Sequence, residues 1–199
     1  MIENITIKVT KISYGNQDIE ILFDGERLSC SASYIGSDPL GDLIRIAAAF
    51  TFDRTRDKYT TKWEEEPGIM EFSVRRDEVF YSNLHIEAKE TGNFIDPETN
   101  LPWKQDVKYH FEVSLGTFRE AVVKEALRVL KTYGLRGYGG SWCDGWDSFP
   151  VTTLLILLGD NSTFDEESES YRSRIKDELQ LLIKAVDGNC KVFCRNGRF

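Results

Sequence analysis

Residues 107–133 read VKYHFEVSLGTFREAVVKEALRVLKTY, and this stretch decides the fold class. In its first part, apolar side chains occupy alternate positions from Val107 to Leu115, which is typical of a β-strand with one buried face. After Thr117 the apolar side chains recur every three or four residues, which marks one face of an α-helix. The change of period within one segment predicts a strand followed directly by a helix.

Helix limits are also marked in the sequence. Thr117 followed by Glu120 forms a capping box, which predicts the start of this helix. Gly134 is placed to end it in a left-handed conformation. Asp38 before Pro39 combines a good N-cap with a residue suited to the first helical position, so an earlier helix is predicted to begin there.

The same two periods recur along the rest of the chain. Residues 150–158 fit either a buried strand or a short buried helix, and the helix is favoured because Asp147 or Ser148 could cap it and Gly159 could end it. Residues 91–105 are predicted to form a long loop. The remaining predicted strands cover residues 5–10, 19–24, 28–34, 70–75, 80–88 and, as a short final strand, 192–193, and a last helix covers residues 171–186.

Strands that follow one another directly pair antiparallel. The order of elements therefore predicts an α+β fold with an antiparallel sheet of about six strands and helices packed mainly on one face. With no repeat and no boundary in the sequence, residues 1–199 are expected to form a single domain.

The net charge of -8 limits the classes of partner. An acidic surface repels phosphate backbones, so no nucleic-acid partner is expected. It favours a basic protein partner, although the charge also has a simpler explanation in solubility. No apolar run approaches the ~20 residues of a membrane span, and the N-terminus lacks the features of a signal peptide. We therefore expect a cytoplasmic protein without a membrane partner.

Several kinds of chemistry have no motif in this sequence. There is no glycine-rich phosphate loop after a strand and no G-x-S-x-G element. Four cysteines without zinc-ligand spacing favour small buried side chains, so neither a metal nor a cofactor is expected. His85 and His110 lie on the polar side of predicted strands. They could face each other and, with an aspartate, bind a metal or transfer protons, or they could be two surface histidines.

The stretch GYGGSWCDGWDS at residues 137–148 combines glycines, tryptophans and acids. Tryptophan beside acid is typical of protein interfaces, and the WEEE run at residues 63–66 repeats the combination. Two other interpretations stay open: Asp144 and Asp147 as catalytic or metal-binding groups, or the tryptophans as filling for the edge of the core. The predicted partner-binding residues are Trp142, Asp144, Trp146, Asp147, Trp63, Glu64, Glu65 and Glu66.

The stretches SASYIGSDPLGDL at residues 31–43 and WEEEPG at residues 63–68 resemble a pattern in small acidic uncharacterised bacterial proteins. Some of those proteins resemble immunity proteins of polymorphic toxin systems. The resemblance covers residues 28 to about 80, and it implies a bacterial, cytoplasmic and non-enzymatic protein. We accordingly predict a non-catalytic binding protein of the immunity or toxin-neutralising kind. The alternative is a small metal-dependent hydrolase using Asp144 and Asp147 with His85 or His110.

Overall fold

The computed structural model describes residues 2–13, 15–33, 38–65, 68–92, 107–142, 149–159, 163–165 and 170–188. The strands in these ranges are β1 (Ile5–Ser13), β2 (Asn16–Phe23), β3 (Glu26–Ser33), β4 (Lys58–Glu65), β5 (Gly68–Arg76), β6 (Asn83–Gly92), β7 (Val107–Ser114), β8 (Thr163–Asp165) and β9 (Ser170–Arg172). The helices are α1 (Pro39–Phe52), α2 (Leu115–Trp142), α3 (Val151–Leu158) and α4 (Ile175–Val186).

The α+β class is confirmed, but the single six-stranded sheet is wrong. Strands β1–β2–β3 form one antiparallel sheet and β4–β5–β6–β7 form another, while β8 and β9 pair separately. The prediction missed β4, in which three alternate positions (Tyr59, Thr61 and Trp63) are more buried than their neighbours. Its lysine, threonine and glutamate content hid the strand period.

The two sheets lie next to each other at two junctions, but their strands do not form one continuous hydrogen-bonded sheet. At one junction the backbone N–H of Ser31 in β3 donates to the carboxylate of Glu65 in β4, at 2.9 Å, instead of to a backbone carbonyl. At the other junction Ile2 forms an isolated parallel bridge with Val113 of β7. A side chain thus replaces backbone pairing at the first junction, and one isolated backbone bridge forms the second, so the two sheets do not become one continuous sheet.

One hydrophobic cluster fills the space between the sheets and the helices. The rings of Phe23 and Phe111 stack with centroids 3.8 Å apart and link β2 to β7. Helix α2 packs along β1, and α1 packs against α2 and α3. Buried residues alternate with less buried ones in much of β6 and β7, whereas Phe72, Ser73 and Val74 of β5 are all buried. The outer face of β6 and β7 carries polar residues.

Helix α2 also protects the outer edge of β1. The strand is irregular between Val9 and Lys11. There the N–H of Val9 donates to Glu125 at 2.5 Å, while Arg128 donates to the carbonyl of Val9 and to Glu125. An ion pair on the helix, between buried Glu125 and exposed Arg128, therefore satisfies a backbone edge that would otherwise be open to another strand.

The helix starts match the sequence at one helix and differ at the other. Asp38 is the N-cap of α1, and its side chain accepts the N–H of Gly41 at 3.0 Å, as predicted. Helix α2 begins three residues earlier than its predicted capping box, because Ser114 Oγ accepts the N–H of Thr117 at 3.0 Å. Ser114, the last residue of β7, therefore caps the start of α2 with its hydroxyl.

The two glycines predicted to end helices differ in their effect. Gly134 has the predicted positive φ of 66°, but helical turns resume after it and continue to Trp142. The helical interpretation of residues 150–158 is confirmed, with Gly159 at its end and with Pro150, not Asp147 or Ser148, at its N-cap position. Tyr171, predicted as helical, lies in β9. Asp147, Ser148, most of the predicted 91–105 loop and the predicted strand at 192–193 lie outside the described residues.

Candidate partner-binding surfaces

Trp63 does not belong to an exposed surface. Its side chain is fully buried, stacks on Phe72 with ring centroids 4.8 Å apart, and donates from Nε1 to the Asp42 carboxylate at 3.2 Å. The same carboxylate oxygen accepts the hydroxyl of Thr61 at 2.6 Å. The indole thus fastens β4 to α1, and the prediction that it contacts a partner is corrected.

The glutamates after Trp63 lie where the two sheets adjoin. Glu65 reaches across to Ser31, and the Ser31 hydroxyl in turn donates to Asp18 at 2.5 Å. Burial raises the pKa of the Cys30 thiol, and the carboxylates of Glu65, Glu90 and Asp18 raise it further. We call Asp18, Glu65 and Glu90 the acidic seam. Glu64 is half-buried, and Glu66 lies outside the described residues.

The glycine-rich stretch is only partly described. Trp142 is the last residue of α2, whereas Asp144, Trp146 and Asp147 lie outside the described residues. Their proposed role in partner binding therefore stays a prediction. The described part has a structural role, because the fully buried ring of Tyr138 meets Phe149 edge to face, with centroids 5.2 Å apart.

A buried network joins this stretch to the start of α1. The hydroxyl of Tyr138 donates to Asp38 at 2.6 Å and accepts from Gln17 Nε2 at 3.0 Å. The side-chain oxygen of Gln17 accepts the N–H of Leu40 at 2.9 Å. Burial raises the pKa of Asp38, although its hydrogen bonds with Tyr138 and Gly41 oppose this. Burial and the nearby Asp38 raise the pKa of Tyr138. The network positions the first turn of α1 and contributes no exposed group.

The two histidines lie together on the outer face of the second sheet. Their rings stack with centroids 5.7 Å apart, which agrees with the possibility that they face each other across β6 and β7. His85 Nε2 lies 2.7 Å from the Asp77 carboxylate, and His110 Nδ1 lies 3.6 Å from Glu87. His110 is exposed, and no third ligand completes a site: among the described residues, no three His, Cys, Asp or Glu side chains are arranged to hold a metal ion.

A turn beside His85 exposes three consecutive apolar residues. Val79, Phe80 and Tyr81 join β5 to β6 and are 75%, 63% and 66% exposed. The carboxylate of Asp77 accepts the N–H groups of Val79 and Phe80 at 2.8 and 2.7 Å. The N–H of Phe80 contributes most to lowering the pKa of Asp77 to about 2, and His85 and the N–H of Val79 contribute further. Asp77 therefore fixes the backbone of the turn, while the side chains of Val79, Phe80 and Tyr81 remain exposed.

Arg76 ties this turn to the end of α1. Its buried guanidinium donates to the carbonyls of Phe50 and Tyr81, each at 2.7 Å. Longer contacts reach the carbonyls of Asp53 and Arg56 at 3.3 and 3.4 Å. Because one guanidinium holds both segments, exposed Phe52 at the end of α1 lies at the same end of the molecule. We call Phe52, Val79, Phe80 and Tyr81 the apolar end.

The sequence analysis named Glu65 but neither Asp18 nor Glu90 of the acidic seam, and it missed the apolar end. The seam combines residues from three strands that are distant in sequence, and no local pattern links them. The turn did carry a local signal: an aspartate accepting N–H groups two and three residues ahead is a recognised turn arrangement. The alternation that follows predicts a strand from residue 80, whereas β6 begins at Asn83.

Comparisons with protein-family models, with curated proteins and with solved structures found no match for this chain. Within the described ranges, none of the helices combines the length and the apolar character required to cross a membrane.

Proposed function

We propose that this chain is a non-catalytic binding protein that engages a basic protein partner, in the manner of an immunity or toxin-neutralising protein. The observation that carries the proposal is the acidic seam, where carboxylates from β2, β4 and β6 lie near Cys30 and Ser31. A net charge of -8 adds a long-range field of the same sign. Such a field speeds the encounter with a cationic surface and disfavours acidic competitors.

The seam suits recognition because the architecture holds it in place. Glu65 and Asp18 are each hydrogen-bonded to Ser31, so little side-chain freedom remains to be lost on binding. These bonds use only part of the accepting capacity of each carboxylate. A lysine or arginine of a partner could therefore bind the remaining lone pairs. Trp142, Asp144, Trp146 and Asp147 would extend the same kind of surface, as the sequence analysis predicts.

The test compares association kinetics after a change that removes charge and keeps shape. A basic partner is isolated from the source cells on the immobilised chain at low salt, identified and purified. Asp18→Asn combined with Glu65→Gln should lower its association rate several-fold at low ionic strength, and the difference should shrink as salt screens the field. Asp187→Asn, which removes the charge of an exposed carboxylate directly after α4, is the matched control.

Two results would contradict the proposal. One is that no basic protein binds the wild-type chain. The other is that the double variant associates at the wild-type rate at low salt. Applying Asp144→Asn and Asp147→Asn in the same assay would test the second predicted cluster separately.

A metal-dependent hydrolase is the second candidate, favoured by the proximity of His85 and His110 beside Asp77. A thermal-shift series with Zn²⁺, Mn²⁺ and Mg²⁺ distinguishes the two functions, since a specific metal stabilises the folded state by mass action. For a binding protein we expect no shift above about 1–2 °C. A larger shift that His110→Ala abolishes would support the hydrolase instead.

A further inference from the structure

We propose that the apolar end is a second docking surface, which receives a protein partner through an apolar pocket with an acidic rim. Val79, Phe80 and Tyr81 are consecutive, and each is more than half exposed, as is Phe52. Isolated exposed apolar residues are ordinary, whereas a contiguous group of large ones is typical of an interaction site. This surface is separate from the acidic seam and does not depend on the basic partner proposed above.

The turn is built in advance of binding. Asp77 holds the backbone of Val79 and Phe80, and Arg76 holds the carbonyl of Tyr81. Neither charged group is available for an outside ligand, because each is occupied within the chain. Aromatic side chains on a fixed backbone lose little conformational entropy when a partner covers them. The turn therefore presents Phe80 and Tyr81 as anchors for a concave apolar site.

The charges around the apolar end indicate the rim of the partner. Asp53 pairs with Arg56, and Glu78 pairs with Arg75, each at 3.4 Å. Among the described residues around the apolar end, this leaves Arg54, Asp57 and Lys58 exposed and outside any ion pair, an excess of one positive charge. Lys58 lies directly across the ladder from Arg75. Burial lowers the pKa of Arg76; Asp53 and Asp57 lie close enough to oppose this, and Arg54 lies close enough to add to it. Complementarity therefore calls for carboxylates at the rim of the partner's pocket.

An anionic membrane surface would also suit exposed aromatic and cationic side chains, but the whole chain opposes it. A net charge of -8 is repelled by an anionic bilayer, while the single excess positive charge at the apolar end attracts it only locally. A second copy of the chain is opposed by the same net charge. A partner protein avoids this repulsion, because its acidic groups can be confined to the rim.

The experiment uses the full chain with a photo-crosslinking residue at position 79, and at position 175 as a control. Val79 and Ile175 are both exposed aliphatic side chains, at 75% and 72%. Crosslinking in the source cells should yield a discrete protein adduct at 79 that is absent at 175. That protein is then identified, purified and titrated against Phe80→Ser and Ile175→Ser. We expect Phe80→Ser to weaken binding at least tenfold and Ile175→Ser to change it less than twofold.

Each other outcome overturns the proposal. In the crosslinking experiment, these outcomes are equal adducts at both positions or no protein adduct at position 79. In the titration, the outcome is equal affinity of the two serine variants. Retention on phosphatidylserine vesicles, or self-association, that Phe80→Ser abolishes would also overturn it. Circular dichroism confirms that Phe80→Ser is folded. Asp18→Asn with Glu65→Gln should leave the purified partner's dissociation rate unchanged, so failure of the acidic seam is distinguished from failure of this surface.

Discussion

The two ends of α1 are both held by buried side chains, but the two arrangements differ in chemistry. At the N-terminal end, the Asp38 carboxyl, the Tyr138 hydroxyl and the Gln17 amide satisfy one another and the first turn of the helix. At the C-terminal end, the Arg76 guanidinium donates to the free carbonyls of the last turn and to Tyr81. A helix end leaves unpaired N–H groups at its start and unpaired carbonyls at its finish, so each end selects the opposite kind of side chain.

The two networks also differ in whether all of their hydrogen-bond partners are buried. Asp38, Tyr138 and Gln17 are all buried, and each interaction ends inside the molecule. Arg76 is also buried, but one of its donors leads outward and supports the exposed turn. The side chains that satisfy the N-terminal end of α1 therefore fill the core, whereas the one that satisfies the C-terminal end also positions a candidate docking surface.

The largest expected effect comes from breaking the C-terminal arrangement. Arg76→Met leaves the carbonyls of Phe50 and Tyr81 without their donor in a buried site, so we expect a loss of about 3 kcal/mol in the free energy of unfolding. Arg75→Met is the matched control, because Arg75 is exposed and makes one long ion pair, and it should cost less than about 0.5 kcal/mol. Urea denaturation measures both. Equal losses would contradict the role assigned to Arg76.

A substitution in the first turn of α1 tests how tightly the N-terminal network is packed. Gly41→Ala should gain about 1 kcal/mol from helix propensity alone. However, a Cβ at this position would lie 2.1 Å from the Asp38 carboxylate, which Tyr138 and the backbone hold in place. We therefore expect a net loss of about 1–2 kcal/mol, measured by the same denaturation.

Gly116→Ala provides the control for this change. A Cβ there would meet only Ser114 Oγ, at an ordinary 3.7 Å. The alanine in α2 should therefore be neutral or stabilising. If Gly41→Ala stabilised the chain as much as Gly116→Ala, the close packing of the Asp38 network would be refuted.

The smallest expected effect is a change in pH dependence at Asp38. The folded-state pKa is raised above the unfolded value of 3.8, so as pH rises past that value the unfolded chain ionises first and stability falls. Asp38→Asn keeps an oxygen acceptor for Tyr138 and Gly41 but cannot ionise. Its stability relative to wild type should therefore increase from about pH 4 upward, as measured by thermal unfolding over a pH series. A constant difference would show that Asp38 is not the titrating group.

The sequence predicted best where a local pattern and the tertiary contacts agree. The strand and helix at residues 107–133 and the Asp38 cap were found because their period and their hydrogen bonds lie within a few residues. Trp63 was assigned wrongly because a tryptophan beside glutamates has the same local pattern whether its indole faces solvent or the core. Only its contacts with Phe72 and Asp42 distinguish these cases.

The sequence alone determined the α+β class, most of the helices and the antiparallel order of successive strands, since each depends on short-range periodicity. The tertiary structure decided that the strands form two sheets, that Glu65 and Asp18 both bond to Ser31, and that Arg76 supports an exposed turn. These features depend on pairs such as Ser31 with Glu65 and Asp38 with Tyr138, which are 34 and 100 residues apart. Their contact depends on how the whole chain packs, so no local pattern specifies it.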